Sequence, residues 1–161
     1  LFAHGLPIGE APEACLLTPE GAAAGADVHR GHVARGAQIV PTCTFGANSL
    51  RLYTSDVPGR TAEICRAAVA AAKAGAGPDA IIAASMGPTG GLLMPYGLLD
   101  EGAVRATYAE QAAACAEAGV GVLWIETMMD LNEATAAVDG ARTGAPGLPV
   151  IATMTFTPAM A

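Results

Sequence analysis

Positive charge is scarce in this chain. Lys and Arg number 8 against 15 Asp and Glu in 161 residues, a formal net charge of −7. The basic residues form no stripe or cluster, which excludes the footprint of a nucleic-acid-binding surface. An acidic balance of this size speaks mainly for solubility. Long apolar runs are missing too: the longest, such as residues 80–84 and 120–125, fall far short of the roughly 20 residues of a membrane span. Nothing at the start reads as a signal peptide, since no basic segment precedes an apolar one. The first residue is Leu1 rather than Met, so the natural N-terminus is expected upstream. The four cysteines, Cys15, Cys43, Cys65 and Cys115, are scattered. With no CxxC, Cys-Cys or Cys/His cluster they lack metal-ligand spacing, and they read as free thiols of a reducing cytoplasm. No GxGxxG follows a strand, so a dinucleotide site is unsupported.

What is present is a repeated βα unit. Hydrophobic residues make up 52% of the chain and charged residues 14%, and much of the apolar excess is alanine. The length suffices for one domain with a core. Four times a glycine-bearing helix stop precedes a short apolar run: Gly36 before 38–44, Gly75 and Gly77 before 80–85, Gly119 before 120–125, and Gly144 and Gly147 before 149–153. Glycine ends helices because it reaches positive φ without a Cβ clash. Runs rich in Ile and Val read as strands of a parallel sheet covered on both faces. Between them the spacing predicts helices over about 19–34, 60–74, 101–118 and 130–142. Thr18 with Pro19 starts the first, and Asp130 with Glu133 offers a capping-box-like start to the last.

Strict alternation of strand and helix predicts an α/β fold, with two candidate architectures: a (β/α)8 TIM barrel or an open doubly wound sheet. Each run turns polar at its C-terminal end, at Thr42 and Thr44, Ser85, Glu126 and Thr127, and Thr153 and Thr155. Barrel active sites are built at that face from several strands, which favours the barrel. Four βα units fill about half of one. The expectation is therefore a partial barrel domain over 1–161, truncated at both ends, inactive and poorly folded by itself because apolar faces and strand edges stay uncovered.

Three segments resemble the homocysteine S-methyltransferase family, which includes the N-terminal module of cobalamin-dependent methionine synthase and betaine–homocysteine methyltransferase. Thr42-Cys43-Thr44-Phe45-Gly46-Ala47-Asn48 is similar to the family's "TNTFGAN". Ser85-Met86-Gly87-Pro88-Thr89-Gly90 is similar to "GSxGPTG". Trp124-Ile125-Glu126-Thr127-Met128-Met129-Asp130-Leu131, followed by Glu133-Ala134, is similar to "xIETMxDLxEA". The approach from His29-Arg30 to Gly36-Ala37 also matches "HRxYxxAGA". Each motif alone is weak; in this order, at successive strand ends, they are specific.

The resemblance implies zinc-dependent methyl transfer to the thiol of homocysteine, giving methionine. Zinc would keep the thiol deprotonated and nucleophilic, and the site must aim the sulfur at the donor. The methyl donor implied is methylcobalamin on a corrinoid protein or domain, or a betaine-like compound. The family's zinc cysteines correspond to none of those here and would lie beyond Ala161. Within the segment the resemblance gives Glu126 the substrate ammonium and gives the amides of Thr44, Phe45 and Gly46 the substrate carboxylate, with Ser85 lining the pocket.

Blander roles stand beside these: Glu126 accepting strand-end hydrogen bonds, 44–46 forming an ordinary turn with Asn48 capping the next segment, and Ser85 satisfying turn amides. Glu126 is preferred to Thr127, because neighbouring strand residues face opposite sides. Cys43 replaces the family's usual asparagine; it reads as a small buried residue or as a change of substrate. His4, His29 and His32 have no ligand partners at useful spacing, and the latter two read as helix surface or packing residues. The alternative to an enzyme is a non-catalytic homocysteine-binding-like chain without zinc.

Overall fold

The computed structural model describes residues 11–156; the outer parts of the expected domain 1–161, including His4, lie outside them. A 3-10 helix, Pro12–Leu17, leads into α1 (Pro19–Val33), β1 (Ile39–Pro41), α2 (Ser49–Leu52), α3 (Thr61–Ala76), β2 (Ile81–Met86), α4 (Glu101–Ala118), β3 (Val122–Met128), α5 (Leu131–Gly144) and β4 (Val150–Met154). The four strands are parallel and lie in the order β1-β2-β3-β4. Among the described residues the sequential order shows no reversal, and so no topological switch point of the kind on which an open doubly wound sheet builds its site.

The helices cover one face of the sheet. Val40, Ile82, Ala84, Met86, Leu123 and Ile125 enter a single core with Ile64, Cys65 and Val69 of α3, Val104, Tyr108 and Cys115 of α4, and Ala137 and Ala141 of α5. Alternate residues take the other face, as a pleat of period two requires. There the register pair Ile39 and Ile81 remains 39% and 48% exposed. This is the face whose top carries Ser85 and Glu126.

The capping chemistry works largely as the sequence suggests. Thr18 Oγ1 accepts from the Gly21 amide and Pro19 occupies the first turn of α1. Asp130 accepts from the amides of Asn132 and Glu133, and Gly119 closes α4 at φ 90°. The Glu133 side chain does not turn back to Asp130 as a capping box would have it; it accepts hydrogen bonds from Thr89 instead.

Other boundaries move for steric reasons. Helix α3 runs through Gly75 to Ala76, because Gly75 is a contact point rather than a stop. A Cβ there would lie 2.1 Å from the Ala26 carbonyl oxygen of α1. Gly140 and Gly144 do the same for α5 against α4, where a Cβ would come 2.4 Å from Arg105 O and 2.1 Å from Ala109 O. Alanine- and glycine-rich helix faces thus let the helix layer close to backbone contact.

Strand β1 ends at Pro41, three residues before the expected end. Side chains carry on the pairing. The Thr42 amide donates to Ala83 O at 2.8 Å, the Ser85 amide donates to Thr42 Oγ1 at 3.2 Å, and Thr44 Oγ1 donates to Ser85 O at 2.6 Å. The two hydroxyls lie 2.7 Å apart. The 3-10 helix and α2 had no periodic signature in the sequence. Both are too short to show one.

Candidate active site

The C-terminal ends of β1, β2 and β3 bring the expected residues into one connected set. Ser85 Oγ donates a hydrogen bond to Glu126 Oε1. Thr44 joins them through its bond to the Ser85 carbonyl. Phe45 joins through its own carbonyl, which accepts from the Gly87 amide at 2.9 Å. The Phe45 ring lies under the Arg51 guanidinium, 5.6 Å from its centroid. It also fills the space beside Gly87, where a Cβ would sit 2.6 Å from the ring. That contact explains the glycine in the Gly87-Pro88-Thr89-Gly90 turn.

Glu126 is half-buried, and none of the ion pairs among the described residues involves it. A bulge aims it. The pairing of β3 with β4 shifts between Ile125 and Met128, and Thr127 takes φ 62°, a left-handed conformation that is uncommon for a β-branched residue. Its amide donates to Thr153 Oγ1 at 3.1 Å. The extra residue leaves Glu126 on Ser85 and turns Thr127 to the surface, as bulges beside functional sites do.

The loop at 44–46 is already engaged. The Gly46 amide donates to Glu13 Oε1 at 2.6 Å, so a protein carboxylate occupies one of the amides the resemblance gives to the substrate. The Thr44 side chain is fully buried and spent on β2. Asn48 accepts from the Arg51 amide and caps α2, and its amide nitrogen lies 3.5 Å from Pro88 O.

Three further buried residues support the site in roles that the sequence did not suggest. Glu13 comes from the unanticipated 3-10 helix. Glu133 Oε1 accepts from both the amide and the hydroxyl of Thr89 at 2.7 Å, pinning the turn after β2. Tyr108 OH sits 3.1 Å from the same oxygen and 3.0 Å from Gly87 O. Burial, then the Glu133 charge, raises the phenol's pKa and keeps it protonated as a donor. In the sequence Tyr108 stands at helical spacing with Val104, Ala112 and Cys115, a pattern that reads as ordinary core.

Cys43 is half-buried against Leu16, Ala68 and Ala71 with Cys15 beside it. Burial, then Glu13 and Cys15, pushes its thiol up to about 12. Cys65 and Cys115 are fully buried, on α3 and α4. No group of three or more His, Cys, Asp or Glu side chains among the described residues could hold a metal, so these residues do not fit a zinc site. An open cavity of about 540 Å3 lies at the opposite end of the sheet, among Lys73, Pro78, Ile81 and Val120. It is remote from these groups.

A sequential parallel βα sheet with a carboxylate, a serine and a glycine-bearing loop at adjacent strand ends defines a class of α/β proteins that work at their strand C-termini. The family model for homocysteine S-methyltransferase matches residues 11–161, and the chain belongs to that family. It is 32% identical over 121 residues to methionine synthase of Mycobacterium tuberculosis and 31% identical over 121 residues to that of Mycobacterium leprae. Each alignment covers 71% of this chain, which spans 10% of the length of either relative. The fold is similar to the crystal structure of the homocysteine methyltransferase MmuM from Escherichia coli in its oxidised form. The TM-score is 0.75 at 20% identity, covering 97% of this chain and 58% of that one.

Proposed function

We propose that the protein transfers a methyl group to the thiol of homocysteine, giving methionine, and that its four-stranded sheet is part of a (β/α)8 barrel. The observation that carries this is Glu126: a half-buried carboxylate at a strand end, held by Ser85, with no basic partner among the ion pairs of the described residues. Such a group suits a ligand ammonium, because a carboxylate withdrawn from water is costly until it is paired.

In this proposal Glu126 receives the substrate ammonium and Ser85 fixes the carboxylate's orientation. Phe45 shapes the wall, and Gly46 sets the loop through Glu13. The substrate carboxylate would then use donors other than the Gly46 amide. Zinc dependence belongs to the proposal through the family alone. Its ligands would come from residues other than 11–156, and no role assigned here runs through the metal. The donor in this proposal is methylcobalamin on a corrinoid partner or a betaine-like compound. A cytoplasmic setting agrees with four free cysteines and with the absence, among the described residues, of a helix able to cross a membrane.

The test is zinc content and homocysteine methylation by the complete gene product, with Glu126→Gln alongside. Methionine formed by the wild type is expected. Loss of a charge-assisted contact of about 2–3 kcal/mol should raise the homocysteine KM roughly 30- to 150-fold in the variant. Homocysteine binding without zinc or transfer would identify a non-catalytic binding protein instead.

A further inference from the structure

Helix α4 presents three polar residues to the top of the sheet, and together they reach the loops after β1 and β2 and the first turn of α5. Thr107 Oγ1 meets Ser49 Oγ at 2.5 Å and the Leu50 amide at 3.3 Å, which anchors α2. Tyr108 reaches Gly87 O and Glu133. Gln111, 0% exposed, lies between the first two strands. Its Nε2 donates to Thr44 O at 2.7 Å and lies 3.3 Å from Ser85 O. Its Oε1 has no partner among the described residues. Leaving an amide oxygen orphaned in the interior is unfavourable, so the side chain is held by what its nitrogen does.

Those two carbonyls sit where regular pairing between β1 and β2 gives out, for β1 has ended at Pro41, while Ser85 still pairs with Trp124 of β3. One belongs to the loop carrying Phe45 and Gly46, the other to Ser85, the partner of Glu126. A single NH2 group fixed to both therefore ties the two halves of the site together from the helix side, alongside the direct Thr44–Ser85 and Phe45–Gly87 bonds.

We propose that Gln111 is a positioning residue for homocysteine: from the helix side of the sheet, without touching the substrate, it clamps the ends of β1 and β2 in the geometry that the ligand requires. This rests on the methyltransferase proposal above. A leucine-sized core residue could fill the same volume, but it could not bind two carbonyls.

The experiment uses the complete gene product as wild type, Gln111→Met and Gln111→Glu. Ala116→Gly serves as a control that loosens α4 away from the strand ends. Two readouts are taken: homocysteine kinetics, and amide hydrogen exchange without substrate. Both Gln111 variants are expected to raise the homocysteine KM roughly tenfold or more while kcat stays within about threefold, the pattern of lost binding geometry. The Gly46, Ala47 and Gly87 amides should exchange roughly tenfold faster while those of α5 and β3 hold. Ala116→Gly should do neither.

Unchanged exchange at those amides overturns the clamp whatever the activity. Faster exchange with a wild-type KM in an active enzyme overturns its link to the substrate, as does an equal KM rise in Ala116→Gly. If the wild type neither binds nor methylates homocysteine, the methyltransferase proposal falls, and the exchange result still decides whether Gln111 clamps the strand ends.

Discussion

Glu133 is a buried carboxylate whose partners are all neutral donors: the Thr89 amide, the Thr89 hydroxyl and the Tyr108 phenol. It sits in the first turn of α5, where the helix N-terminus favours negative charge. Glu133→Ala would strand the two Thr89 donors, at about 1–3 kcal/mol for each group left unsatisfied, while the Tyr108 hydroxyl would keep Gly87 O as its acceptor. A urea titration should show the loss, and Tyr108→Phe should lose less. His29 is also buried, and burial followed by the nearby His32 lowers its pKa from 6.5. The unfolded chain therefore takes up this proton first. The stability that His29 contributes is complete above about pH 6.5 and is lost as pH falls through that value toward the folded pKa. The melting temperature should decline as pH falls below about 6.5, and less steeply in His29→Gln. Cys43, with its thiol near 12, should resist iodoacetamide in the native protein at neutral pH and react once unfolded, since the thiolate is the nucleophile.

At the scale of elements, the sequence was most legible where periodicity ran long. Helix α4 matches its expected span of 101–118, and β2 and β4 shift by about one residue. It was least legible where side chains replaced backbone pairing. Thr42 and Thr44 read as strand because their hydroxyls do a strand's work, though the strand ends at Pro41. The polar ends of the runs singled out Ser85 and Glu126 separately, and the fold brings the two into contact. The residues that hold the loops around them, Gln111, Tyr108 and Glu13, are distant in sequence. They become partners only when α4 and the 3-10 helix dock, and no local pattern encodes that. Gly87 makes the element-level test. Gly87→Ala places a methyl group against the Phe45 ring and should cost about 1–3 kcal/mol by overpacking, seen in thermal melts and in a raised homocysteine KM.

For the molecule as a whole, the two faces of the sheet differ. One is sealed by α3, α4 and α5. The other leaves Ile39 and Ile81 open to solvent, and Leu92, Met94, Tyr96 and Leu98 are exposed along the connection from β2 to α4. Among the described residues β1 and β4 each pair on one side only. Unpaired edges beside exposed apolar surface promote association. The 161-residue chain expressed alone should therefore elute from size exclusion at a mass that rises with concentration, and Ile81→Lys should reduce the effect.

The glycines at which α1 meets α3 and α4 meets α5 have a practical consequence for anyone hoping to make this protein withstand heat. Replacing helical glycine by alanine is a standard route to thermostability, since alanine is the better helix former by about 1 kcal/mol. At Gly75, Gly140 and Gly144 the rule reverses. The new methyl group would press on a carbonyl oxygen of the adjacent helix, and the helices would have to separate to admit it. A consensus or propensity-guided design that treats these positions as free gains would loosen the layer on which the sheet rests. Gly31, whose nearest contact is the flexible end of Arg35 at 3.5 Å, is the place to begin.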